Sequence, residues 1–309
     1  MKNFKLYSNS LLLGCFFLSN CVYAHEQDES LQNANWYNSP PVQEAITRGV
    51  SPINDQLFAG TSTNPTGSVN NVFVVDTVND TSQDIGSLAG VWGATADVVN
   101  ERILYTTSSV STTVGGDELF EIPYAGGAPV SLGLITDALA GEFRVDGLAM
   151  SNGTLYAVLA GGLESNGFYS IDLQTLVATE ISLYDDSISG IDADPDTCII
   201  YGTNDTTGQL VTISTTGAIT NVAAYPSGIT DIDGIAVGNG NAYLVTDEAQ
   251  DISVYDLALN TYGTALTSPF AAADTFSGAA IAVGISLPNP DVIFENGFDP
   301  AIDCMTAPQ

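Results

Sequence analysis

Lysine is missing from this 309-residue chain after Lys5, and histidine occurs once, at His25. Arginine is nearly as scarce: Arg48, Arg102 and Arg144 face 36 acidic residues. So acidic a surface repels nucleic-acid phosphates, and it disfavours phosphate-rich substrates and anionic lipids. Cations, neutral sugars and basic surfaces are the partners that the charge favours. The missing lysine removes Schiff-base chemistry. One histidine at residue 25 leaves the remainder of the chain without a Ser-His-Asp triad or a histidine-based zinc site. No Gly-x-Ser-x-Gly elbow is present.

Cysteine is also sparse. Cys15 and Cys21 fall in the first 24 residues, which leaves Cys198 and Cys304. Two are too few for a cysteine metal site, but they can form one disulfide in an exported protein. Such a bond would tie the C-terminal tail to the middle of the chain. Long apolar runs are lacking as well. Leu11 to Leu18 is too short to span a bilayer. With Lys2 and Lys5 before it and Val22-Tyr23-Ala24 after it, residues 1–24 read as a secretory signal. A secreted, periplasmic or extracellular, soluble monomer is expected. Cleavage before Cys21 is disfavoured by Asn20, which stands where a small residue is required.

What the chain does have is a repeat. A short apolar strand with one glycine occurs as Val91-Trp92-Gly93-Ala94, Val145-Asp146-Gly147-Leu148, Ile188-Ser189-Gly190-Ile191, Ile232-Asp233-Gly234-Ile235 and Phe276-Ser277-Gly278-Ala279. The glycines are spaced by 54, 43, 44 and 44 residues. A period near 44 fits one four-stranded propeller blade. Strand signals follow each glycine strand in order. A tight turn comes first, with Asn152-Gly153 and Asn239-Gly240 carrying the strongest hairpin pair. Next is a strand with an aromatic: Tyr105, Tyr156, Tyr201, Tyr243. A third strand ends in an apolar–polar step such as Ile171-Asp172 or Tyr255-Asp256, and a fourth is short and mixed.

The last glycine strand has no partners after it, while Gln56–Ala59, Val72–Asp76 and Asp84–Leu88 have no glycine strand before them. A ring solves both problems, and it removes open sheet edges. The expected fold is all-β: a five-bladed β-propeller of four-stranded antiparallel blades, the last blade combining the C-terminal strand with the N-terminal strands. The propeller takes residues 55–285, after a linker or cap at 25–54 and before a tail at 286–309. The glycine is expected where inner strands crowd the axis. In repeat length and pattern, residues 55–285 resemble the secreted bacterial β-propellers of the broad NHL and YVTN type. Val292 to Asp299 is similar to a short C-terminal motif of exported proteobacterial proteins, which implies export.

Ligands of propellers bind where the loops entering strand one meet those joining strands two and three. Here those loops gather many acids. Arg144, Asp146, Asp231 and Asp233 are the candidate ligand-binding residues. Glu142, Asp146 and Asp233 are candidate ligands for calcium, a hard cation that takes six to eight oxygens. Asp192-Ala193-Asp194-Pro195-Asp196 has the start of a calcium loop but lacks its glycine and glutamate, and it reads as a turn. The leading expectation is a non-catalytic binding or scaffold module, with calcium as the candidate stabilising ion on its acidic face. The alternative is a carbohydrate-active hydrolase with two carboxylates, such as Asp146 and Asp233, at the central mouth.

Overall fold

The computed structural model describes residues 56–62, 71–87, 91–108, 117–139, 143–159, 166–246, 250–270 and 276–282. Twenty strands form five four-stranded sheets, and every strand pair within them is antiparallel. The first blade holds β1 (Leu57–Ser62), β2 (Asn71–Asp76) and β3 (Thr81–Ser87). The second holds β4 (Ala94–Asp97), β5 (Arg102–Ser108), β6 (Asp117–Pro123) and β7 (Val130–Leu134). The third holds β8 (Gly147–Ser151), β9 (Thr154–Leu159), β10 (Gly167–Ile171) and β11 (Ala178–Leu183). The fourth holds β12 (Ile188–Ala193), β13 (Ile200–Asn204), β14 (Gln209–Ile213) and β15 (Ile219–Ala224). The fifth holds β16 (Gly234–Gly238), β17 (Asn241–Val245), β18 (Ser253–Asp256) and β19 (Thr261–Tyr262).

The remaining strand, β20 (Phe276–Ile281), pairs with β1, from Leu57↔Ile281 to Ser62↔Phe276, and completes the first blade. The first and last described strands therefore share one sheet. The inner strands contact one another in the order β4, β8, β12, β16, β20 and back to β4, which closes the ring. The five-bladed fold expected from the repeat is the fold observed.

The glycines sit where inner strands touch. A Cβ at Gly190 would lie 2.6 Å from the Asp233 carbonyl oxygen of the next blade, and one at Gly147 2.7 Å from the Ile191 nitrogen. No side chain fits at those distances. The crowding also disturbs pairing, because β12 shifts register against β13 between Ile188 and Ile191. The Gly190 N–H then donates to Thr203 Oγ1 at 2.8 Å, and the Gly93 N–H donates to Thr106 Oγ1 at 3.1 Å. A threonine at the end of the second strand thus replaces the missing ladder bond.

Between the blades lie apolar layers. Phe58, Ile103, Tyr105 and Phe120 pack between the first and second blades, with the rings of Tyr105 and Phe120 stacked at 5.4 Å. Asn152-Gly153 and Asn239-Gly240 both take positive φ at both residues, the geometry of the twisted two-residue hairpin. The apolar–polar step closing strand three has a local cause. Asp76, Asp172 and Asp256 each accept two backbone N–H bonds from the turn that follows. One strand lies away from its sequence signal: the pattern places the fourth strand of the fifth blade at Gly263 to Leu266, whereas β19 is Thr261–Tyr262 and Leu266 makes only an isolated bridge to Ile252.

Candidate functional site

Antiparallel blades put the loops into strand one and the loops from strand two to three at one end of the ring. The sequence-predicted ligand residues gather at this end. Arg144 and Asp146 lead into β8, with Arg144 Nε 3.4 Å from Asp146 Oδ1. The guanidinium also lies 4.5 Å from the centre of the Trp92 ring, in a cation–π arrangement. Asp231 and Asp233 precede β16. Asp146 and Asp233 are both buried, and they enter inner strands that flank β12 rather than each other. Glu142 lies outside the described residues, as do the signal segment, residues 25–54, Cys304 and the tail 286–309.

Asp205, which the sequence places among the acids of the loops joining strands two and three, organises the same end. It follows β13 in the fourth blade. Its Oδ1 accepts from the Tyr225 hydroxyl at 3.0 Å and the Ile232 N–H at 3.3 Å, and its Oδ2 from Ser189 Oγ. Burial, and after it the negative charge of Asp231, push the Asp205 carboxyl up to about 7. Nearby, Asn204 Nδ2 donates to Asp186 Oδ2 at 2.9 Å. Among the described residues no three acids, histidines or cysteines converge into a metal-binding group.

The opposite end of the axis holds a cavity of about 140 Å³. Its lining takes one residue from each inner strand: Ala96, Met150, Ala193, Val237 and Ile281. Each stands three positions after its repeat glycine, so the repeat itself builds the ring. The wall also carries two acids, and both are committed to their own turns. Asp97 accepts from Arg102 Nε at 2.8 Å and from Asn100 Nδ2 at 2.7 Å. Asp194 accepts from Thr197 Oγ1 at 2.5 Å and the Asp196 N–H at 3.2 Å. The turn expected over Asp192 to Asp196 begins only at Asp194, whose carboxyl caps it, because Asp192 and Ala193 belong to β12.

One step back from the cavity ring, on the axis, sits Asp192. Its Oδ1 accepts from Thr95 Oγ1 at 2.8 Å and its Oδ2 from the Val237 N–H at 2.8 Å. Thr95 Oγ1 in turn accepts from the Met150 N–H at 2.9 Å. One carboxyl thereby links β4, β8, β12 and β16. Burial pushes it up to about 8. Sequence reading passed over this role because Asp192 looked like one acid of a turn. The only available signal was that the equivalent position is threonine or alanine in the other blades.

Comparison with known proteins agrees at the level of fold. The family model described as SdiA-regulated matches residues 164–273. No curated protein matches the chain. Among solved structures, a protein of unknown function from Bacteroides thetaiotaomicron is similar with a TM-score of 0.50 and 13% identity, over 70% of this chain and 56% of that one. A structure of the nidogen/laminin complex gives a TM-score of 0.48 and 10% identity, over 74% of this chain and 99% of that one. TolB from Acinetobacter baumannii gives 0.44 and 12%, over 70% of this chain and 54% of that one. The chain thus spans little more than half the length of the first and third structures. Repeat and topology together make this chain a β-propeller repeat protein.

Proposed function

We propose that the chain is an exported, non-catalytic binding or scaffold module that presents its acidic end to a cationic partner. The observation that carries this is the gathering of acids there: Asp205 accepts from the N–H of Ile232, which lies between Asp231 and Asp233, and burial first, then the charge of Asp231, raises its carboxyl to about 7. A cation brought to that place relieves the repulsion and displaces the proton. A basic protein surface suits acids that are spread over several loops. A calcium ion is the narrower form of the same reading, with Asp231, Asp233, Asp146 and Glu142 as oxygen donors in part. Binding is favoured over carboxylate hydrolysis because Asp146 and Asp233, the pair hydrolysis would use, lead into β8 and β16 on either side of β12 and not into neighbouring strands.

Two titrations test the proposal. A lysine-rich peptide measured by calorimetry should bind several-fold more weakly to the Asp231→Asn, Asp233→Asn double variant. The double variant Asp76→Asn, Asp256→Asn removes the same charge from turns at the other end, and it should bind like the parent. Equal weakening in both would reduce the effect to net charge and sink the proposed face. Millimolar calcium should raise the melting temperature more at pH 8 than at pH 6, because Asp205 must lose its proton. An unchanged melt at both pH values would remove calcium from the proposal.

A further inference from the structure

The cavity at the end of the ring opposite the acidic loops is unevenly built. Its floor takes one apolar residue from each blade, but the rest of its wall comes from the second, third and fourth blades, through Val98, Asn152 and Pro195 among others. Two carboxylates stand in that wall. Asp97 and Asp194 each follow directly on a floor residue, Ala96 and Ala193, and both are buried. Their charges are met differently. Asp97 holds Arg102 at 2.8 Å, and that guanidinium also serves Glu121. Among the described residues Asp194 accepts from uncharged groups, the Thr197 hydroxyl at 2.5 Å and the Asp196 N–H at 3.2 Å. The other described arginine, Arg144, is engaged with Asp146 and Trp92 at the far end. A buried carboxylate is costly unless a positive partner reaches it. The described residues bring none to Asp194, which stands above an apolar floor. The wall is also braced. The Ser151 hydroxyl donates to the Cys198 carbonyl at 2.8 Å and the Cys198 N–H to the Asp194 carbonyl at 2.8 Å, which ties the Asp194 turn to the third blade. A volume of about 140 Å³ admits one benzene-sized body, as apolar cavities near ~150 Å³ do.

We propose that this cavity is a second binding site, for a small organic cation: a protonated amine on an apolar body of about six carbons. The ammonium group pairs with the Asp194 carboxylate, and the body lies against Met150, Val237 and Ile281. The apolar floor selects against small inorganic cations, which would lose water there without gaining oxygen ligands in return. The two acids of the wall select against carboxylates and phosphates. A neutral ring of the same size gains burial alone. This site is separate from the acidic end, which spreads its charges over several loops for a broader basic surface.

The test uses the chain from His25 to Gln309, isotope-labelled in its methionine methyl groups, and three probes of similar size: benzylamine, benzyl alcohol and benzoate. The Met150 resonance is identified as the signal missing from Met150→Leu. Benzylamine should shift it saturably and bind about tenfold more tightly than benzyl alcohol, while benzoate should leave it unmoved. Asp194→Asn should remove the preference for the amine and still admit benzyl alcohol. The Asp231→Asn, Asp233→Asn double variant, altered at the other end, should bind benzylamine like the parent. Equal affinity of the parent for benzylamine and benzyl alcohol would leave Asp194 without a role. Equal weakening in Asp194→Asn and in the double variant would reduce the preference to the net charge of the chain. A Met150 signal that no probe moves would close the cavity to ligands. Each of these results overturns the proposal. The first and the last are read on the parent chain, so they hold even where a variant fails to fold. None of them bears on the peptide titration at the acidic end.

Discussion

Asp192 carries a carboxyl at a position that Thr95, Ala149, Ala236 and Ala280 fill in the other blades. Its environment sets a direction for pH. In the unfolded chain the group has an ordinary carboxyl pKa near 3.8; in the folded ring burial raises it to about 8. The folded state holds the proton more tightly, so this contribution is fully present below about pH 4 and is lost as the pH rises to about 8, at up to about 1.4 kcal/mol per pH unit. The Thr95 hydroxyl and the Val237 N–H donate to the two carboxyl oxygens; an amide keeps one acceptor for the Val237 N–H and can donate to Thr95 Oγ1 in place of the other. Asp192→Asn should therefore fold with near-parental stability at pH 5 and should flatten the fall of the urea midpoint between pH 5 and 8. The slope that remains near pH 7 belongs to Asp205, which has the same sign. An unchanged slope in the variant would show that Asp192 does not titrate in that window. This residue was illegible in the sequence, because nothing local distinguishes an axial aspartate from the turn acids two and four positions later.

At the scale of the element, the glycine strand was legible for a physical reason. Five apolar runs share one residue without a side chain, and at Gly93, Gly147, Gly190 and Gly278 the contact that demands it is with the backbone of the next blade. Positions of this kind recur with the blade and so show up as a period. The cavity did not show up, although the same strands build it. Its lining comes from Ala96, Met150, Ala193, Val237 and Ile281, ordinary core residues whose convergence depends on ring closure. The acids drew attention to the other end because charge can be counted without a fold. The inner-strand contact makes a prediction. Gly190→Ala must push apart β12 and the backbone before β16, and urea unfolding should show a loss of roughly 2–3 kcal/mol. Gly153→Ala meets nothing within 4 Å and is strained only by its φ of +73°, so it should lose about 1 kcal/mol. Equal costs at the two sites would contradict the close approach.

For the whole molecule, the decisive step is that β20 and β1 share a sheet. Blade number and the unbroken circle of inner strands depend on it. It was legible because each chain end lacked what the other supplied, and an open blade would leave an unpaired edge. The ends themselves fall outside the described residues, so the sequence expectations for 1–54 and 286–309 stand as proposals tied to export. The most direct check is cross-strand nuclear Overhauser contacts in a deuterated, backbone-labelled sample of the chain from His25. Ring closure predicts contacts joining Phe58 to Ala280 and Gly60 to Gly278, alongside those of Phe58 with Val74. Contacts that pair Phe276–Ile281 with any strand other than Leu57–Ser62, or none to that strand at all, would contradict it.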